Sequence, residues 1–258
     1  YAKGETSPWA CGYTLTLGDP VNMGGGTAPE GDCYATATIS STGSLKVKDR
    51  LADGTTLTGT LSAGVDGSYR WYLKPYKTTG SYLAGWLPLT ERSDEAGRYE
   101  ASSPDFYWMK AASSKDKVYT DGFGPVGLTV DMQKWVSPSG GVSLANLLGL
   151  DPSVEAMPLV IEGAGLSNSG ANTYTLPTFL NLGTTNVFSV GDATNPTALS
   201  LKVKTTNGSF TGSFTLKDGT LKRKVTLQGV LLQLPSPVES TVVGRGYFLL
   251  SPAVKGDP

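Results

Sequence analysis

The chain of 258 residues contains no histidine. That absence excludes Ser-His-Asp triads, histidine general bases and histidine metal ligands, and with them most common hydrolase designs. Acid–base chemistry is left to carboxylates, lysine and tyrosine. Charge is scarce as well: charged residues make up 17% of the chain and the formal net charge is −1, where an ordinary domain is about a quarter charged. A surface so lightly charged offers no footprint for nucleic acid and no basic run for a membrane surface. No apolar run approaches the roughly 18 residues of a membrane-spanning helix. "NMGGGT" (22–27) lacks the lysine and following helix of a phosphate-binding loop, and no G-x-S-x-G occurs. Neither a cofactor nor a metal is expected.

Cysteine is limited to Cys11 and Cys33. Two thiols cannot make a zinc site alone, and this spacing is not a C-x-x-C redox motif. They are expected to pair as a disulfide. Closing a loop of about 23 residues would be worth roughly 3 kcal/mol in the chain-entropy picture. The alternative is two reduced cysteines buried on neighbouring strands.

What is present is glycine (33 residues), much serine and threonine, and strict alternation. "GYTLTLG" (12–18) puts Tyr13, Leu15 and Leu17 on one face and Thr14 and Thr16 on the other. "CYATATIS" (33–40), "LKVK" (45–48), "TLTGTLS" (56–62), "YRWYLKPY" (69–76) and "YLAGWLPL" (82–89) follow at meander spacing, with "STGS" and "ADGT" as turns. Further on, "DFYWMK" (105–110) reads as a short strand and residues 144–148 as one helical turn. "ALSLKVK" (198–204), "FTGSFTL" (210–216), "LKRKVTLQGVLLQ" (221–233) and "GRGYFLL" (244–250) are strands, and "KDGT" (217–220) is a hairpin turn.

The second group echoes the first. Lys46-Val47-Lys48 matches Lys202-Val203-Lys204, Gly54 matches Gly208, Gly59 matches Gly212, and Gly85-Trp86-Leu87 matches Gly246-Tyr247-Phe248. A glycine inside a strand marks a bulge, a bend or a close approach. The expected fold is all-β: two pseudo-repeated curved antiparallel sheets in one β-barrel or β-sandwich. The chain is read as a single domain, 1–258. Its first repeat spans about 33–90, a bridging segment 91–196, and its second repeat about 197–251.

Candidate chemistry is thin. Tyr69, Trp71 and Leu73 share one strand face, with Arg70, Tyr72 and Lys74 on the other. Exposed aromatics beside cations can stack on sugar rings, so Tyr69, Arg70, Trp71, Tyr72, Lys74 and Tyr76 form the candidate glycan-binding set. The competing reading puts Trp71 in the core and makes Tyr72 a cross-strand partner. Phe106 and Trp108, opposite Tyr107, read as core, as do Trp86 and Tyr247. Asp94 and Glu95 are adjacent and point opposite ways, so they cannot flank one bond. Asp19, Glu30 and Asp32 bracket a glycine loop without calcium-loop spacing. "GDATN" (191–195) is equally weak, and "SSKDK" (113–117) is more simply a solvated turn than a Ser–Lys pair. No catalytic residue is assigned.

Taken together, "LADGT" (51–55), "YKTTGSYLAGWL" (76–87), "FTGSF" (210–214) and "GVLLQ…GRGYFL" (229–250) resemble a β-rich domain of large secreted proteins. These occur in Verrucomicrobia, Planctomycetes and related bacteria, often after Ig-like or repeat arrays. Thr79 and Tyr82 vary from that pattern, and the Cys11/Cys33 pair departs from it. The resemblance covers about 35–250 and implies an exported, multidomain context, without active-site residues. Starting at Tyr1 with no leader, the chain is read as a piece of a longer exported protein. The expected role is a non-catalytic extracellular or cell-surface module in structure, adhesion or assembly, whose partners are a surface glycan or copies of itself. A carbohydrate-binding module is the rival reading, and a carboxylate-dependent glycosidase the third.

Overall fold

Period-two alternation with one apolar face needs a sheet that curves enough to bury that face, and the computed structural model shows how the chain does it. It describes residues 5–18, 28–91, 99–116, 118–150, 156–163, 166–167, 176–183, 185–218, 221–233 and 243–250. The chain is nearly all β, and its described strand pairs are antiparallel. Among the described residues no helix is long and apolar enough to cross a membrane. The chain divides into two compact units, 1–135 and 136–258.

The first unit contains β1 (Gly12–Gly18), β2 (Cys33–Ile39), β3 (Leu45–Arg50), β4 (Thr56–Leu61), β5 (Tyr69–Leu73), β6 (Tyr82–Leu87), β7 (Thr90–Glu91), β8 (Tyr99–Lys110) and β9 (Phe123–Lys134). They form one sheet in the order β4-β3-β2-β1-β9-β8-β6-β5, with β7 beside β8. This is two meanders joined by the β1–β9 ladder, where Tyr13 lies opposite Lys134. The outer strands of the path, β4 and β5, approach each other. Ala63 bridges Tyr69, and a Cβ on Gly59 would lie 2.5 Å from a Leu73 methyl. The mid-strand glycine of the first repeat is thus a close approach that nearly closes the sheet. Residues 99–110 and 123–134, within the stretch read as a bridge, supply its two longest strands.

Directly opposed residues face the same way, so the register identifies the interior. Leu57, Asp49, Ala35, Leu15, Met132 and Ala101 form one row across six strands, and all are buried. A second row runs Trp71, Gly85, Phe106. Phe106 lies across the glycine, where a Cβ would be 2.4 Å from its ring, and meets Trp71 edge-on at 5.6 Å. Overpacking a filled core costs about 1–3 kcal/mol. Gly85→Ala is therefore expected to lower the urea midpoint by that equivalent, with an unchanged denaturant slope. A midpoint equal to wild type would mean that Phe106 is not held by the glycine.

The expected disulfide between Cys11 and Cys33 does not form, and both thiols are free. Cys33 opens β2 opposite Leu17, whereas the Cys11 carbonyl accepts from the Ile39 N–H at the far end of the same ladder. The strand from residue 11 to 17 separates them, roughly 20 Å at a strand's rise. A disulfide needs Cα atoms within about 7 Å. The thiols stay reduced, as in the alternative raised above, but of the two only Cys33 is buried on a strand; Cys11 is half-buried just before β1. Cys33 is buried, accepts from the Ala52 N–H at 3.2 Å, and burial raises its thiol pKa.

The second unit holds α1 (Leu144–Leu147), β10 (Ala156–Pro158), β11 (Glu162–Gly163), β12 (Leu166–Ser167), β13 (Phe179–Leu182), β14 (Phe188–Val190), β15 (Ser200–Lys204), β16 (Ser209–Asp218), β17 (Leu221–Leu231) and β18 (Gly244–Leu249). Strands β15-β16-β17-β18 form a four-stranded sheet, and β10-β13-β14 form a smaller one. The helical turn has a capping box between Ser143 and Asn146. Asp218 faces Leu221 across the long hairpin, as "KDGT" requires, although residues 219–220 lie outside the described set. Gln233 is buried and clamps Val136 at two points, accepting from its N–H and donating to its carbonyl, both at 2.7 Å.

The repeat is a repeated hairpin, one in each unit. Gly54 and Gly208 both turn with positive φ, +87° and +72°. The strand glycines differ in register, since Gly59 faces Val47 whereas Gly212 faces Leu201.

Candidate functional site

On β5 the alternation resolves the candidate set into two faces. Tyr69 and Trp71 point inward and are buried, the Tyr69 hydroxyl donating to the Gly43 carbonyl at 2.8 Å. Neither can meet a ligand from solvent. Arg70, Tyr72 and Lys74 are exposed, and the neighbouring strands extend their face. Arg70 lies opposite Trp86, while Tyr72, Ala84 and Tyr107 form one row across β5, β6 and β8.

Three aromatic rings are open to solvent on this outer face: Tyr72 at 60% exposure, Tyr107 at 47% and Trp86 at 37%. Ala84 keeps the floor between the two tyrosines low. Tyr72 stacks on Tyr82, with centroids 6.3 Å apart and planes 20° apart. The Arg70 guanidinium sits 5.5 Å above the Trp86 ring and 3.8 Å from Asp66. Trp86, read as core from its match to buried Tyr247, is thus part of an exposed strip. Its own strand held the signal: Leu83 and Leu87 face inward, so Gly85 does too, and Trp86 must point out.

Tyr76, past the end of β5, belongs to a different constellation. Its hydroxyl donates to Asp53 Oδ2 at 2.5 Å, and Lys110 Nζ reaches the same oxygen at 2.9 Å. Lys110 also pairs with Asp116 Oδ2. The Lys110 and Asp53 side chains are sealed, at 6% and 1% exposure. Tyr76, Tyr119 and Phe123 wall the ammonium, their centroids 4.7, 5.3 and 6.0 Å from Nζ. The Thr55 N–H donates to Asp53 Oδ1 at 2.9 Å, and those of Val118 and Tyr119 donate to Asp116 Oδ1. Burial works against charge on Asp116, but the Lys110 ammonium and the two N–H groups outweigh it and hold its pKa down to about 2. For Lys110 burial likewise opposes the charge, and the two carboxylates more than compensate, raising its pKa. Burial and the Asp53 carboxylate keep Tyr76 protonated by raising its pKa.

A third feature is an open depression of about 670 Å³ lined by Trp9 and residues 42–44 and 62–67. The Trp9 indole packs against Gly67, where a Cβ would collide with the ring, and Asp66 is engaged by the Ser68 N–H and hydroxyl. It brings together little chemistry.

The remaining candidates separate. Asp19, Asp94, Glu95 and Lys117 lie outside the described residues. Glu30 and Asp32 are described, but among the described residues no group of three acidic or cysteine side chains gathers to hold a metal. Asp192 of "GDATN" accepts from the Thr178 N–H and hydroxyl and the Phe179 N–H, which explains it structurally. Comparison of the chain with protein-family models, curated proteins and solved structures returns no match.

Proposed function

We propose that this chain is a non-catalytic adhesion module of a longer exported protein, and that it binds glycan chains through the outer face of β5, β6 and β8. The observation that carries this reading is the exposure of Tyr72, Trp86 and Tyr107 together on three adjacent strands. Flat aromatic faces meet the C–H faces of pyranose rings, and solvent-exposed apolar patches of this kind usually mark interaction sites. Arg70 and Lys74 flank the rings and donate to hydroxyls. A low floor at Ala84 suits a chain lying across the sheet rather than a small ligand enclosed in a pocket. The light, balanced charge favours a neutral polysaccharide. Hydrolysis has less support: among the described residues Asp53 and Asp116 come together, yet Lys110 pairs with both and the Asp53 side chain is sealed from a sugar.

The test is depletion from solution by a panel of insoluble and immobilised polysaccharides. Saturable binding to at least one glycan is expected, weakened about 5- to 150-fold in Trp86→Ala and in Tyr107→Ala, at roughly 1–3 kcal/mol for a stacked ring. Tyr72→Ala should act in the same direction. These side chains are exposed, so the variants should fold as wild type does. Binding that survives the triple variant, or no binding across the panel, would remove the glycan platform. The panel result would then leave association between copies of the chain as the next reading to measure.

A further inference from the structure

We propose that Lys110 and Asp53 form an intramolecular amide bond, with Asp116 as the proton shuttle and Tyr76 and Thr55 as polarising donors. The motive is a sealed, pre-positioned pair. Nζ lies 2.9 Å from Asp53 Oδ2, inside an aromatic wall that keeps water out. Held reactants of this kind gain large effective concentrations over free ones. The Tyr76 hydroxyl and the Thr55 N–H each donate to one Asp53 oxygen, drawing electrons from Cγ and placing donors where negative charge develops. Asp116, less buried and in contact with the same nitrogen, is the separate carboxylate that such a step requires.

The step balances without an oxidant or a co-reactant. One ammonium proton passes across the 2.9 Å contact to the Asp53 carboxylate, giving the neutral amine and neutral acid from which the bond forms. Lys110 Nζ then bonds to Asp53 Cγ. Asp116 takes a second proton from the nitrogen and hands it to the departing oxygen. The Cγ–O bond breaks, water leaves, and the amide remains. Asp116 finishes as the carboxylate it began as. The product straps the turn after β3 to the end of β8, residues 57 apart in sequence, and so ties one meander of the first unit to the other. It does not depend on the glycan reading.

Intact-mass measurement on the folded full chain, followed by peptide mapping, tests this. Wild type is expected to weigh one water less than its sequence, and to yield a branched peptide joining the segments that carry Asp53 and Lys110. Lys110→Arg, which keeps the charge but has no reactive amine, should keep its full mass. Asp116→Asn should form the bond at least about a hundredfold more slowly, the usual scale for losing a proton-transfer group. Full mass in wild type after prolonged incubation overturns the proposal. So does a water loss that persists in Lys110→Arg, because cyclisation at Asp53-Gly54 would give that result. A wild-type rate in Asp116→Asn removes Asp116 from the step. Wild-type mass and mapping decide the matter even if a variant fails to fold.

Discussion

Lys110→Met is expected to destabilise the first unit by about 3–5 kcal/mol at neutral pH, the usual scale when one partner of a buried pair is removed. Methionine replaces the stem well enough; the loss comes from stranding Asp53 and Asp116 among Tyr76, Tyr119 and Phe123. In chains whose Lys110 and Asp53 remain unjoined, the ionic contact has a pH signature. The Asp116 pKa sits near 2 in the folded chain, below its unfolded value of about 3.9, so its contribution is present above pH 4 and lost as pH falls towards 2. The Lys110 pKa is raised, so its contribution is present at neutral pH and is lost as pH rises through the folded value, above about 10.4. The gap between wild type and variant should thus be widest in between. Urea unfolding at pH 7 and pH 3 measures it. A gap below 1 kcal/mol at pH 7 would show the cluster to be energetically idle. A large gap that ignores pH fits the amide and not the ion pair.

Asp49→Val should do the opposite and stabilise the chain at neutral pH by about 1–3 kcal/mol, the usual cost of a buried polar group without a hydrogen-bond partner. Asp49 lies in the inward row between Ala35 and Leu57, and neither carboxyl oxygen has a hydrogen-bond partner among the described residues. Burial pushes its pKa up to about 8. The unfolded chain releases this proton near pH 3.9 and the folded chain only near 8, so wild type loses stability from this group as pH rises through that window. The advantage of valine should accordingly be small at pH 4, grow through neutrality and level off above pH 8. Unfolding free energies at pH 4, 6 and 9 check the trend. Destabilisation at pH 9, or a gain independent of pH, would mean that Asp49 is solvated or paired in the folded state.

These two acid–base features were written in the sequence in a form easy to overlook. In "LKVKDR", Leu45, Val47 and Asp49 are in phase; in "DFYWMK", so are Phe106, Trp108 and Lys110. A charged residue on the apolar beat of a strand must be buried, and a buried charge requires a partner or a shifted pKa. The strands themselves, the capped turn at Leu144 and the split of β5 into a core face and a cationic-aromatic face were legible from period two alone. Partnerships across many residues were not. Nothing local to Asp53 points to Lys110, and the nearness of Cys11 and Cys33 in sequence suggested a nearness in space that the β1–β2 ladder denies. Trp86 was obscured by a likeness between repeats whose strand glycines are out of register.

The β1–β9 ladder also sets the order in which the first unit can assemble. Each meander, 12–61 and 69–134, closes through neighbouring hairpins and pays little loop entropy. Joining residue 13 to residue 134 spans most of the unit, and that closure gains nothing until both edges are in place. Within the first unit, the meeting of the two half-sheets is thus the step expected to be slowest. Until they meet, β1 and β9 each present an open row of backbone donors and acceptors, and a crowded solution of newly made chains is at its stickiest in that interval.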